Sequence, residues 1–272
     1  MKWIVIGLAL AQALVLGACA PEAKTPTSTE EYNRHAEQAY REALREFLDK
    51  NWEEAARQME EVRRNYGYTK YANLAHLRLA DIAFRQERYA EAIAEYKSYV
   101  HDHPNDADVP YARYRAIRAQ FLSSSNNFFQ PPLEERDLAN VRDAYASIRA
   151  FLADYPNYKH QDELKYMYES TSGMLARHEL YVARFYLQQD RFAAAMRRVQ
   201  YSLKTYASSG LEPEAIVLLG EVHLKMKQRQ KAAALFRHVL ETYPRSAFTV
   251  PARRFLAFLG EPERERPEAP GL

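Results

Sequence analysis

The chain has 272 residues, 38 Lys and Arg against 36 Asp and Glu, one cysteine and only 8 glycines. A net charge of +2 is too small to argue for a nucleic-acid partner. A lone cysteine rules out an internal disulfide, a thiolate metal centre and thiol catalysis, and scarce glycine rules out a chain rich in phosphate loops.

Lys2 opens a short basic region, an apolar run from Trp3 to Leu16 is broken only by Gln12, and Leu16-Gly17-Ala18-Cys19 follows. That layout predicts a signal peptide over residues 1–18. The run is shorter than the roughly 20 apolar residues that a spanning helix needs. Small residues just before a cysteine resemble the lipobox of bacterial lipoproteins, which implies cleavage before Cys19 and acylation of its thiol and new amino terminus. Ala20, where enteric lipoproteins kept in the inner membrane carry aspartate, points to the outer membrane. Residues 19–31, rich in Pro, Thr and Ser, read as a flexible tether, and residues 260–272, charged and broken by proline, as a disordered tail.

Between these ends one pattern recurs five times. A large residue is followed three positions on by alanine, then by two apolar positions, then by a turn. The instances are Trp52, Ala55, Met59, Val62; Tyr89, Ala92, Tyr96, Tyr99, Pro104; and Val141, Ala144, Ile148, Phe151, Pro156. Phe192, Ala195, Val199, Ser202, ending near Tyr206, is the fourth, and Arg229, Ala232, Phe236, Val239, Pro244 the fifth. A small residue fits where two helices cross closely, and proline closes a unit because it cannot continue a helix. Each instance follows another amphipathic stretch, as Tyr40, Ala43, Leu44 and Phe47 precede the first. The pattern resembles the tetratricopeptide repeat. The predicted fold is therefore all-α: a tetratricopeptide-repeat solenoid over residues 32–259, in units of about 32–67, 68–107, 108–157, 158–208 and 209–259.

The key alanines are separated by 37 residues (Ala55 to Ala92), 52 (Ala92 to Ala144), 51 (Ala144 to Ala195) and 37 (Ala195 to Ala232). The first excess contains Ser123 to Pro132, polar and ending in two prolines, which reads as a loop inside the third unit. The second excess has neither proline nor polar cluster, so one helix of roughly 30 residues is expected from about Lys159 to Gln188.

His101-Asp102-His103 is the only close histidine pair, and its place at a helix end before Pro104 favours a dipole role over a metal site. No metal-ligand spacing, nucleophile elbow or phosphate loop occurs, so no enzyme, cofactor or metal is expected. Tyrosine stands out, with 20 in the chain. Stacked helical units present a concave surface lined by their first helices. In the first two units that lining is predicted to comprise Tyr40, Leu44, Phe47, Leu74, Leu77 and Phe84. Tyr66, Tyr68, Tyr71, Tyr111 and Tyr114 lie around the junctions of the first three units, where rigid rings with polar tips suit recognition.

Lipobox, tether, five repeats, interrupted third unit and long helix together resemble the BamD family of outer-membrane β-barrel assembly lipoproteins. The telling segments are Tyr40-Arg41-Glu42-Ala43 with Asn51-Trp52, Tyr111-Ala112-Arg113-Tyr114, Arg136-Asp137, and above all the run from Leu175 to Val199, LARHELYVARFYLQQDRFAAAMRRV. The chain departs from the family in a shorter third-unit loop, in Gly67 where proline is frequent, and in its proline-rich tail. The resemblance implies an amino-terminal groove (Tyr40, Leu44, Phe47, Tyr68, Tyr71, Leu74, Leu77, Phe84, Tyr111, Tyr114) that receives the carboxy-terminal signal of unfolded outer-membrane proteins. It implies docking of the carboxy-terminal repeats on the periplasmic POTRA domain of the barrel subunit BamA, around Arg198 with Arg184, Arg197 and Tyr201. Other lipoproteins of the same complex become possible partners, and Cys19 an anchor facing the periplasm. The rival reading is a repeat lipoprotein serving another envelope machine, as a pilotin or a coordinator of cell-wall synthesis.

Overall fold

A computed structural model of the chain describes residues 28–124 and 138–260. The described residues form eleven helices in chain order. The first unit is α1 (Thr29–Leu48) with α2 (Trp52–Asn65), and the second is α3 (Lys70–Arg85) with α4 (Tyr89–Asp102). The third pairs α5 (Val109–Ser123) with α6 (Ala139–Asp154), and the fourth α7 (Gln161–Gln188) with α8 (Phe192–Thr205). The fifth is α9 (Glu212–Lys225) with α10 (Arg229–Thr242), and α11 (Thr249–Phe258) packs on α10. Consecutive helices pack on one another throughout, and α1 also touches α3, as α7 touches α9. This is the repeat solenoid that the sequence pattern predicts.

Two boundaries differ from the sequence reading, at the first helix and at the last. Helix α1 begins inside the expected tether, because Ser28 caps it by accepting the Glu31 N–H at 3.1 Å and Glu30 and Glu31 favour its positive end. The fifth unit stops at Thr242, and α11 is a separate helix. The long fourth-unit helix is present as expected, with 28 residues ending at Gln188. Residues 1–27, with the lipobox and Cys19, lie outside the described residues, as do 125–137, with most of the expected loop, and the tail from 261.

The turns inside units share one construction. Lys50, Glu87, Asp190 and Lys227 each adopt positive φ, between 55° and 62°. The amide after each reaches back five residues: Asn51 to Glu46 O, Arg88 to Ala83 O, Arg191 to Tyr186 O and Gln228 to His223 O, all at 2.9 Å. Four helices thus end in the same left-handed cap, which satisfies their last carbonyls without glycine. This explains how so glycine-poor a chain makes tight turns.

The key alanines Ala55, Ala92, Ala144, Ala195 and Ala232 are all fully buried. Twelve residues before four of them, on the partner helix, stand Ala43, Ala80, Ala183 and Gly220, equally buried. Small residues thus stand buried on both helices of these units, which suits a close crossing, and the larger Met59, Tyr96, Ile148, Val199 and Phe236 are fully buried as well. Gly220 is the extreme case. A Cβ there would lie 2.4 Å from the ring of Phe236, which is fully buried and stacked on Phe255 with centroids 4.8 Å apart.

Histidine 76, 5 % exposed, wedges between α3, α4 and the following turn. Its ring meets Tyr99 and His103 edge-on at 5.6 and 5.9 Å, and its Nε2 lies 3.3 Å from Glu95. Burial, with Arg63 adding to it, holds His76 below the usual imidazole range and outweighs the pull of Glu95.

Two predictions follow from this packing. Gly220→Ala gains helix propensity yet forces Phe236 against its stack, so we expect a net loss of about 1–3 kcal/mol in urea unfolding, relieved by Phe236→Leu. Because the folded state keeps His76 neutral while the unfolded chain protonates near 6.5, stability is intact above that pH and declines below it. The decline between pH 7 and pH 5 should shrink in His76→Phe.

Candidate functional site

The first helices of the units carry a strip built around a buried carboxylate. Asp81 on α3 is 2 % exposed. Arg78 pairs with it from the same helix, Tyr96 Oη of α4 donates to it at 2.5 Å, and Tyr111 Oη of α5 donates at 2.9 Å. Arg115 Nε of α5 lies 3.4 Å from the same carboxylate and donates to Tyr96 Oη at 3.0 Å. An isolated carboxylate there would cost several kcal/mol; two guanidiniums and two phenols offset the loss of water. Burial first, and then the charge of Asp81, pushes the Tyr111 phenol up to about 12 and Tyr96 further still. Both phenols therefore act as donors at neutral pH.

The guanidiniums tie this carboxylate to a row of rings. Phe47, Phe84 and Phe121 lie 37 residues apart on α1, α3 and α5, and Arg78 and Arg115 are themselves separated by 37. Arg78 sits over Phe47 at 6.0 Å and Arg115 over Phe84 at 3.8 Å, each arginine on the ring of the preceding unit. Arg118 lies 5.6 Å from Phe84 and pairs with Glu163 of α7 at 2.7 Å. Phe121 meets Tyr166 of α7 edge-on at 6.1 Å. The strip thus runs unbroken from α1 to α7.

Most of the residues expected in the groove fall on or beside this strip. Tyr40 is nearly buried, packs on Tyr71 at 5.9 Å and bonds to Arg78; Leu44, Phe47, Leu74 and Phe84 are half-buried; Tyr111 bridges to Asp81. Three do not line an accessible surface there. Leu77 is fully buried in the core of the second unit. Tyr114, 3 % exposed, bonds to Glu163 and stacks on His160 at 4.6 Å, so it is a structural link. Tyr68 is fully exposed on the turn between α2 and α3, with no ring packed on it among the described residues. Arg78, Asp81, Arg115 and Arg118 were missed. The shared 37-residue interval was the signal that could have found them.

At the other end, a cleft of about 380 Å³ between α7 and α8 is lined by Tyr186, Ala194, Arg197, Arg198 and Tyr201. It unites three of the four expected docking residues and adds Tyr186. Arg184 is turned away, bound to Glu214 of α9 at 2.6 Å. Arg198 already has a partner within the fold, Glu179 at 3.1 Å, and its side chain remains 45 % exposed. From Arg184 to Arg254 the chain holds thirteen Lys and Arg against five Asp and Glu, so this half is strongly cationic although the whole chain carries only +2.

His103 packs on Tyr99 at 5.1 Å, and no group of three or more His, Cys, Asp or Glu among the described residues could hold a metal. No described helix is long and apolar enough to cross a membrane.

Residues 32–235 match the family model described as YfiO, outer membrane lipoprotein. The chain is 26 % identical over 253 residues to the outer membrane protein assembly factor BamD of Caulobacter vibrioides, covering 93 % of this chain and 80 % of that protein. It is 26 % identical over 257 residues to BamD of Neisseria meningitidis serogroup A, covering 91 % and 94 %. Among solved structures it is similar to the TPR2AB domain of yeast Sti1, with a TM-score of 0.43, 11 % identity and coverage of 83 % and 84 %. With three quarters of its length matched by one model, the chain belongs to the YfiO family of outer membrane lipoproteins, the family of BamD.

Proposed function

We propose that the chain is a non-enzymatic scaffold of the outer-membrane β-barrel assembly complex. It docks the POTRA region of a BamA-like barrel subunit at one end and receives unfolded outer-membrane proteins at the other. The observation that carries this reading is the family match across residues 32–235 on a fold with two separate surfaces: the aromatic and arginine strip of α1, α3 and α5, and the cationic cleft of α7 and α8. A stiff array suits such a role because each end is held at a fixed distance from the other.

The cleft fits a folded partner that offers carboxylates. Arg197 and Arg198 supply guanidinium donors, which bind carboxylates in pairs, and Tyr186 and Tyr201 supply rings of the kind enriched at interface centres. Arg198 would exchange or share Glu179 for a partner carboxylate. In this reading acylated Cys19 and the segment after it moor the scaffold to the periplasmic face of the outer membrane, where other lipoproteins of the complex can join it. Several acyl chains give the stable anchoring that one does not.

Pull-down of the barrel subunit's periplasmic region by Arg198→Glu should fall at least tenfold relative to the parent chain, with the thermal midpoint unchanged to within a few degrees. Undiminished capture would remove the cleft from the interface. Depletion in cells should lower many unrelated barrel proteins together; loss of one secretin alone would favour a pilotin instead.

A further inference from the structure

The last described helix keeps one face uncovered. Helix α11 packs on α10 through Ala252, Phe255 and Leu256, which belong to the apolar core of the fifth unit. Its other face carries Val250, Arg253, Arg254, Ala257 and Phe258, at helical spacing and all exposed. Val250 is 52 % exposed and Phe258 74 %. Eight large apolar side chains are exposed among the described residues, and two of them stand on this ten-residue helix, with two arginines between them.

The surroundings are cationic. Residues 222–260 hold eight Lys and Arg against one acid, Glu241, and with residues 261–272 the count is ten against five, so the excess persists. Arg229 Nη2 donates to Leu259 O at 3.5 Å, which brings the turn from α9 to α10, with exposed Lys225 and Lys227, beside the end of α11. Lys225, Lys227 and Arg254 pair with no carboxylate among the described residues. Apolar and basic side chains mixed on one helix face suit a membrane interface, where rings and aliphatic groups enter the headgroup boundary and guanidiniums meet phosphates. A single helix face is convex, so it fits a continuous surface better than a ligand that needs enclosing, and an anionic leaflet offers phosphate wherever the cations fall. The chain belongs to a family of outer membrane lipoproteins, which puts such a surface within its reach.

We infer that the outer face of α11, with the α9–α10 turn beside it, binds the headgroups of anionic lipid at a membrane surface, Val250 and Phe258 entering the headgroup boundary and Arg254, Lys225 and Lys227 meeting phosphates. This goes beyond the scaffold role and does not rest on it. An exposed cation near such a surface typically tightens binding about fivefold, so three acting together suffice for a salt-sensitive attachment. A chain anchored near its amino end and held at α11 lies along the membrane, which fixes the direction in which its units face.

Vesicle flotation of the chain from Ala20 to Leu272, which retains all eleven described helices and lacks Cys19, provides the test. Vesicles of about 30 % phosphatidylglycerol in phosphatidylcholine should bind it at least tenfold more tightly than phosphatidylcholine alone at about 50 mM salt, with the advantage lost at about 500 mM. Inorganic phosphate at matched ionic strength should not displace it. Lys225→Gln with Arg254→Gln should cost at least tenfold toward the anionic vesicles and Phe258→Ser about fivefold, each melting within a few degrees of the parent chain. Leu48→Ser, at an exposed apolar residue of α1, should cost nothing. Equal binding to the two vesicles, displacement by free phosphate, or binding to neither, as expected if the face docks an acidic protein instead, would overturn the inference. So would binding that survives these substitutions and falls with Arg197→Gln and Arg198→Gln in the cleft.

Discussion

The constraint on which the molecule depends is smallness at buried places on both helices of a unit. Ala43 with Ala55, Ala80 with Ala92, Ala183 with Ala195 and Gly220 with Ala232 are the paired positions, and every one is buried. Smallness there lets backbones come together, and Tyr96, Ile148 and Phe236 are fully buried in the same units. The left-handed caps at Lys50, Glu87, Asp190 and Lys227 then turn the chain back with nearly the same φ each time. A repeated crossing and a repeated turn make a regular array, and regularity is what aligns side chains from helices far apart in sequence.

On that array the buried Asp81 does what apolar packing cannot. It binds groups from α3, α4 and α5 at one point, which fixes Arg78 and Arg115 in orientation as well as position. Replacing such a cluster by leucines could leave stability unchanged. What would be lost is the alignment of guanidiniums over Phe47 and Phe84. The lengthened α7 separates this strip from the cationic cleft by adding about four turns to one helix, so two surfaces of different chemistry stand on one continuous scaffold.

The fold was legible because each unit states its pattern in residues whose size and burial go together. Ala55, Ala92, Ala144, Ala195 and Ala232 identified five second helices, and the 51-residue interval before Ala195 identified α7. The eleventh helix was missed because the recurring pattern was read through second helices, and Thr249 to Phe258 stands after the fifth of them. The site was only half legible. Exposed-looking aromatics at helical spacing were read as lining, but spacing does not tell a groove from a core, and Leu77 and Tyr114 turned inward. Asp81 and Arg115 were passed over because a charged residue on an amphipathic helix reads as solvated. Their burial arises from contacts between units, which no single-helix pattern contains. The cationic excess after Arg184 was readable by counting, hidden only by averaging over the whole chain.

The central claim is that two surfaces of one chain hold two different partners. It is tested most directly by photo-crosslinking in living cells with a benzophenone amino acid placed at Phe84 in the strip or at Tyr201 in the cleft. The account expects the Phe84 probe to capture many newly made outer-membrane proteins and the Tyr201 probe to capture the barrel subunit alone. Capture of the same single partner from both positions, or of no outer-membrane protein from Phe84, would contradict it.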